Sequence, residues 1–194
     1  MSSDFIETAT HNRISKNSHI SGSDQILISG HSTIHPQVTL KGDVQLLTKS
    51  NTTISLGKYC YLKPHCSIIP PIVKQSSSSS SSPSSVASNE SDQTWYGPSN
   101  IGAYTIIGSN SIIKSANIGN RVIIEDNCVL NNLSIIYDCC IIRENTIIPE
   151  NVVIPPYSEV KGIPGKDFCI TNLNSSYKSL IESEAKQLQI LGTV

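Results

Sequence analysis

Five histidines, six cysteines and a scatter of carboxylates carry whatever side-chain chemistry this 194-residue chain can perform. The histidines are His11, His19, His31, His35 and His65, and none follows residue 65. Imidazole is the usual nitrogen ligand of zinc and the usual general base near neutral pH, so catalysis of either kind should gather around these five. His31 and His35 stand four apart, which would place both on one side of a helix. On a chain of short strands and corners they point different ways, and no metal site is expected there. The cysteines lack any C-x-x-C pair, which gives zinc binding and dithiol redox chemistry little support. Asp126, Asp138 and Glu144 sit between aliphatic pairs as corner residues and read as solvated. His65, in "LKPHCS", is the one histidine inside a regular unit and the only candidate base.

The elements that must position these groups are set by a count. Every sixth residue from Ile118 is aliphatic: Ile118, Ile124, Leu130, Ile136, Ile142, Ile148, Ile154, Val160. Four residues after each comes a small or β-branched one: Val122, Cys128, Ser134, Cys140, Thr146, Val152, Ser158. A period of six does not fit a helix but is a multiple of the strand period of two. Hexapeptide repeats mark a parallel β-helix: three six-residue sides close a triangular coil, and coils stack at about 4.8 Å. The sixth-residue aliphatics then point into a narrow prism, with the small residues beside them. Ile101, Ile107 and Ile113 keep the period, with one residue missing near Lys114–Asn117. Ile28, Ile34 and Leu40 keep it earlier, with Val38 and Val44 at the small position. Leu56, Leu62 and Ile68 repeat it, with Cys60 and Cys66 there. Cys60, Cys66, Cys128 and Cys140 are therefore expected to be packing residues. The expected fold is an all-β solenoid of about six coils, some 30 Å long, with one C-terminal α-helix.

Along the chain, residues 1–25 read as a lead-in and 26–170 as the solenoid, interrupted by a serine-rich loop at 71–100 that is expected to be disordered. Residues 171–194 hold a helix, with apolar spacing at Tyr177, Leu180, Ile181, Leu188 and Leu191 and a cap from Ser175 or Ser176. Trp95 and Tyr96 close the serine-rich loop. They either fold back on the prism wall or serve as a partner contact, since aromatic residues anchor interfaces. Solenoid ends expose strand edges that must be covered, and the N-terminal end, with nothing to cover it, is a candidate docking surface.

Composition agrees with a slim core. Twenty-nine residues are isoleucine, aromatics are 5 % and charged residues 15 %, against about 25 % in an average protein. Net charge is −1 and no Lys/Arg block exists, so nucleic acid is not an expected partner. No apolar run is long enough for a membrane span, and the N-terminus lacks the apolar core of a secretory signal, so an intracellular, reducing setting is expected.

Chains with this repeat include γ-class carbonic anhydrases and acyltransferases, both of which use histidine. "LKGD" at Leu40–Asp43 resembles a γ-class turn. The positions that should supply zinc-binding histidines, around residues 105–135, carry Tyr, Asn, Ser and Arg instead. A homotrimeric enzyme of either type is the alternative reading, with His65 at its groove. The order of landmarks resembles more specifically the dynactin subunit 5 family of pointed-end β-helix subunits. The resemblance is carried by "FIETATHNRISKNSHISGSDQILISGHSTI", "LKGD", "LGKYCYLKPHCSIIPP" and "IGAYTIIGSNSIIKSANIGNRVIIEDNCVL". It is closest in "YDCCIIRENTIIPENVVIPPYSEVKGIPG", Tyr137–Gly165. The serine-rich loop departs from the family, whose stretch there is shorter, basic and aromatic. The resemblance implies a left-handed β-helix, no catalysis, and no cofactor or metal. It also implies a place in dynactin, the cytoplasmic activator of the microtubule motor dynein. The implied partners are a second β-helix subunit (dynactin subunit 6-like), the pointed-end actin-related protein, the large zinc-bearing pointed-end subunit, and cargo adaptors.

Overall fold

The chain winds as a triangular prism with three parallel walls. A computed structural model describes residues 4–75 and 94–191. The first wall carries Arg13–Ser15, Thr33–Ile34, Tyr61–Leu62, Ile106–Ile107, Ile123–Ile124, Ile141–Ile142 and Ser158–Lys161. The second runs from His19–Ser21 through Thr39–Lys41, Ser67–Ile68, Ile112–Ile113 and Val129–Leu130 to Ile147–Ile148. The third runs from Ile26–Gly30 through Ile54–Lys58, Ser99–Ile101, Asn117–Ile118 and Ile135–Ile136 to Val153–Ile154. This is a left-handed β-helix of six coils plus a seventh pass of the first wall. The sixth-residue aliphatics form its axis: Ile118 is 1 % exposed and the rest of that series 0 %. Cys128, Ser134, Cys140, Thr146 and Ser158 are fully buried beside them, because only small side chains fit next to the axial row.

The solenoid starts earlier than residue 26. Arg13–Ser15 and His19–Ser21 already form two walls of the first coil, paired in parallel with Thr33–Ile34 and Thr39–Lys41. Ile14, Ile20 and Ile26 continue the period of six and pack against the core. The true lead-in contributes Phe5–Glu7, which pairs antiparallel with Arg13–Ser15. At the far end Cys169–Asn172 pairs antiparallel with Ser158–Lys161, so this segment closes the solenoid rather than beginning the terminal region at 171. Phe168 packs against the core there. The first wall therefore gains an antiparallel strand at each end, while among the described residues no further strand pairs beyond the end strands of the second and third walls.

All irregularity falls on the corner between the second and third walls. The short helical turn Ser23–Gln25, the loop 42–53, the chain leaving after Ile68 and returning before Ser99, and the shortened link 114–116 all lie there. Val44 belongs to that loop, half exposed, and not to an inward position. The 71–100 interruption is narrower than expected. Ile72–Gln75 and Thr94–Tyr96 pair as an antiparallel hairpin stem, and Ser99–Ile101 is already wall. The serine run Ser76–Ser82 lies outside the described residues.

Helix α1, Tyr177–Leu191, runs along the first wall. Its buried residues are Ile181 and Ala185, with Tyr177 and Leu188 half-buried beside them; Leu180 and Leu191 are exposed. The side-chain acceptor at its start comes from Asn174, whose Oδ1 takes the Ser176 N–H at 3.0 Å, rather than from Ser175 or Ser176.

Candidate functional site

The corner joining the third wall to the first brings together residues that are unequally spaced as far as Arg121 and then eighteen apart. His11, His31, Tyr59, Tyr104, Arg121, Cys139 and Tyr157 occupy this corner on successive coils, each with φ between 52° and 59°. The left-handed backbone lets the chain turn sharply and sends each side chain outward. Coil spacing then fixes the separation of the rings at nearly the ideal distance for stacking. Ring centroids lie 5.2 Å apart for His11–His31, 4.9 Å for His31–Tyr59 and 5.2 Å for Tyr59–Tyr104, with planes 19°, 6° and 3° apart. Arg121 continues the column, its guanidinium 5.8 Å from the Tyr104 ring. Further along, the neighbouring Cys139 sulfur holds the Tyr157 phenol above its ordinary value.

Helix α1 is fastened to this column. Glu182 forms an ion pair with Arg121. That hydrogen bond holds the Glu182 carboxyl below its ordinary pKa and raises the guanidinium. Lys186 lies 5.5 Å from the Tyr104 ring. Gln189 accepts from Thr33 Oγ1 at 2.7 Å and donates to the His11 carbonyl at 3.4 Å. Ala185 sits over Tyr61 and Ile106, where a larger residue would lift the helix.

The remaining histidines do not converge. His35 is wedged between Phe5 (5.9 Å, edge-on) and Tyr61 (4.8 Å); burial lowers its pKa, and its Nε2 has no hydrogen-bond partner among the described residues. His19 is exposed on the second wall, and His65 is exposed at the corner of the first and second walls with φ 62°. His31 and His35 diverge as the strand-and-corner reading requires. Among the described residues no group of three His, Cys, Asp or Glu side chains is placed to hold a metal. Cys60 and Cys66 are pushed up to about 12, and Cys128 and Cys140 to about 11, chiefly by burial. Such thiols are poor nucleophiles near neutral pH. Asp126 and Asp138 are not simply solvated. Asp126 accepts the Ser109 N–H at 2.8 Å and Asp138 the Asn120 N–H at 2.8 Å, tying each coil to the one before.

Trp95 and Tyr96 stand in the hairpin stem at the inserted corner. Tyr96 faces Ile72 across the stem and exchanges backbone hydrogen bonds with the loop below: its N–H reaches Gln45 O, and Leu47 N–H reaches its carbonyl, both at 2.9 Å. Asn132 clamps the other strand, accepting the Ile72 N–H at 2.7 Å and donating to its carbonyl at 2.8 Å. The stem thus presents half-exposed Trp95 and Tyr96 beside exposed Leu47, Ile72 and Val73. An apolar group of this kind on an otherwise polar loop is the usual form of a contact surface. It was not legible in sequence beyond the two aromatics, because the serine run separates its strands.

Solved structures with a similar chain path are hexapeptide-repeat proteins. A hexapeptide transferase family protein from Anaplasma phagocytophilum superposes with a TM-score of 0.69 at 14 % identity, covering 95 % of this chain and 88 % of that one. A perosamine N-acetyltransferase variant from Caulobacter crescentus, in complex with CoA and GDP-perosamine, gives 0.54 at 10 % identity over 83 % of this chain and 56 % of its own. At such identities the likeness establishes the fold and nothing of the chemistry. The model of one family, dynactin subunit 5, matches residues 1–186. With that match running through the prism, the inserted corner and most of helix α1, the chain belongs to the dynactin subunit 5 family.

Proposed function

We propose that this protein is a non-catalytic structural and interaction subunit at the pointed end of dynactin, where it supports recruitment of dynein cargo and adaptors. The observation that carries this reading is the family match over residues 1–186. The use made of the reactive side chains supports it. His11 and His31 are rungs of a stacked column that fastens helix α1, His35 is packed between rings, and four thiols line the axis. The corresponding setting is the cytoplasm and the microtubule cytoskeleton. The partners are a second β-helix chain resembling dynactin subunit 6, the pointed-end actin-related protein, the large zinc-bearing subunit and cargo adaptors. Two surfaces suit such contacts. One is the apolar hairpin stem with Trp95 and Tyr96. The other is the N-terminal end of the prism, where Ile14, Ile20 and Ile26 are only partly buried and, among the described residues, no further strand pairs beyond the end strands of two walls.

Gentle affinity purification of the tagged protein from its own cells, followed by mass spectrometry, tests the proposal. Co-recovery of actin-related protein, the large dynactin subunit and a second β-helix chain is expected, and Trp95→Ala with Tyr96→Ala should reduce it selectively. The second reading, an acyltransferase-like homotrimer, draws on the transferases that share the fold. Recovery of the protein alone as a trimer that binds acetyl-CoA, with loss of binding in His65→Ala, would replace the first reading with the second.

A further inference from the structure

The stacked column is finished differently at its two ends. Each of its rings stands two places before a strand of the first wall: His11 before Arg13–Ser15, His31 before Thr33–Ile34, Tyr59 before Tyr61–Leu62 and Tyr104 before Ile106–Ile107. The rung after Tyr104 carries a guanidinium instead of a ring. Arg121 lies over the Tyr104 ring, and Glu182 holds it there from helix α1. The fold thus shows what a ring of this column accepts where no ring follows: a flat cation on its face, with a carboxylate at the cation's edge. A guanidinium suits that position because it is planar and carries its donors in the plane, whereas an ammonium has no face.

At the other end the column starts with His11, which is exposed. The next strand outward on the first wall is Phe5–Glu7, with Glu7 paired to Arg13, so Glu7 stands one strand spacing beyond the rung of His11. Its side chain is 69 % exposed and meets Arg13 Nε through one oxygen, Oε1, at 3.3 Å. Glu7, His11, Arg13, His31 and Gln189 line a cavity of about 310 Å³. Gln189 is a fixed wall, its amide engaged by Thr33 Oγ1 and the His11 carbonyl. A ring and a carboxylate one rung beyond it therefore border the same space, as Tyr104 and Glu182 do around Arg121.

Other ligand classes fit this cavity less well. Its one fixed cation, Arg13, is already paired with its one carboxylate, so an incoming phosphate or carboxylate would meet Glu7 with no spare cation to receive it. Among the described residues no group of three His, Cys, Asp or Glu is placed to hold a metal. An apolar group would strip water from polar side chains on every side. A guanidinium loses least, stacking on the imidazole and donating to the second oxygen of Glu7. The reverse sharing, one guanidinium between two carboxylates, occurs in the same molecule at Arg143, with Glu125 at 2.8 Å and Glu159 at 2.5 Å. We propose that the open end of the column is a binding site for an arginine side chain of a partner protein, stacked on His11 and paired with Glu7.

The test is a titration of the full-length protein with N-acetylarginine amide, N-acetyllysine amide and N-acetylcitrulline amide, followed through the ring-proton resonances of His11 and His31. It requires no dynactin component, so its outcome is independent of the assembly proposed above. The arginine probe should bind saturably, in roughly the millimolar range expected of one side chain, and about fivefold or more tighter than the others, since lysine lacks the planar face and citrulline the charge. Glu7→Gln, a change at an exposed side chain, should weaken it by about fivefold. His11→Asn, which suits the left-handed backbone at φ 58° and removes the ring, should abolish it. Arg13→Gln frees Glu7 and should tighten it. An anion site would respond to the two charge changes in the opposite sense. Equal binding of the three probes, unmoved His11 resonances, or tighter binding in Glu7→Gln than in Arg13→Gln would each overturn the assignment.

Discussion

Tyr59 is the position at which the stacked column can be weighed most directly. Its ring is sandwiched between His31 at 4.9 Å and Tyr104 at 5.2 Å, nearly parallel to both, and its backbone sits at φ 59°. Two opposing terms act there. Each ring pair contributes about 0.5–1.5 kcal/mol beyond burial, so removing the ring costs about 1–3 kcal/mol. The left-handed backbone costs a residue with a Cβ about 1–2 kcal/mol, and asparagine tolerates it best after glycine. Tyr59→Ala loses both contacts and keeps the backbone cost, so destabilisation of about 1–3 kcal/mol is expected. Tyr59→Asn loses the same contacts but recovers about 1 kcal/mol of backbone energy, so it should be the milder change. Tyr59→Phe keeps the stack and should fall within about 0.5 kcal/mol of the parent. Equilibrium urea denaturation followed by far-ultraviolet circular dichroism measures all three. A double-mutant cycle with Tyr104→Ala should show a coupling of about 1 kcal/mol. Were Tyr59→Ala indistinguishable from the parent, or Tyr59→Asn the less stable of the two, the column would be a by-product of coil geometry with no energetic part.

Other measurements address separate features. Ile124→Ala removes a 0 % exposed axial residue stacked between Ile107 and Ile142. Coil spacing keeps the cavity from collapsing, so a cost of about 3–4 kcal/mol is expected by the same denaturation assay. Gly119→Ala would set a Cβ 2.7 Å from the Asp138 backbone nitrogen. It should force coils apart and lower the melting temperature by several degrees, roughly a 1–3 kcal/mol effect. Because Glu182 has a folded pKa below its unfolded one, its ion pair with Arg121 supports helix docking above the ordinary carboxylate range. That support is lost as pH falls through the depressed value. Hydrogen exchange should therefore show helix α1 released by acid before the prism, and released at neutral pH in Arg121→Ala. Of the six cysteines only Cys169 is exposed. Native alkylation at about pH 7.5 should add one group by mass spectrometry and full alkylation six only in denaturant, the other five thiols being buried.

The period of six made the axial core legible residue by residue, because an inward position on a hexapeptide wall tolerates little but a slim aliphatic. The first coil was legible too, in Ile14, Ile20 and Ile26, but it lies among polar residues with no Ile pairs to draw attention to it. Apolar spacing made helix α1 legible but not its inner face: Leu180 and Leu191 share the spacing and are exposed, while Ala185, an actual contact, carries little hydrophobic signal. The stacked column was hidden for a physical reason. His11, His31, Tyr59 and Tyr104 are separated by coils of unequal length, so they share a corner in space without sharing a spacing in sequence. The hairpin stem was hidden in the same way, its strands divided by the serine run.

Insertions of very different length all leave from one edge of the prism, and the axial rise takes no part in them: Ile28, Leu56 and Ile101 are neighbours in one ladder however much chain runs between. The distance between the two ends of the molecule is thus decoupled from the length of its sequence. The protein acts as a gauge block, with a fixed span set by the number of rungs and a separate margin on which appendages can grow without altering that span. A reporter peptide spliced in at exposed Ser50 should ride on that margin, leaving the reach between whatever the two ends hold unchanged.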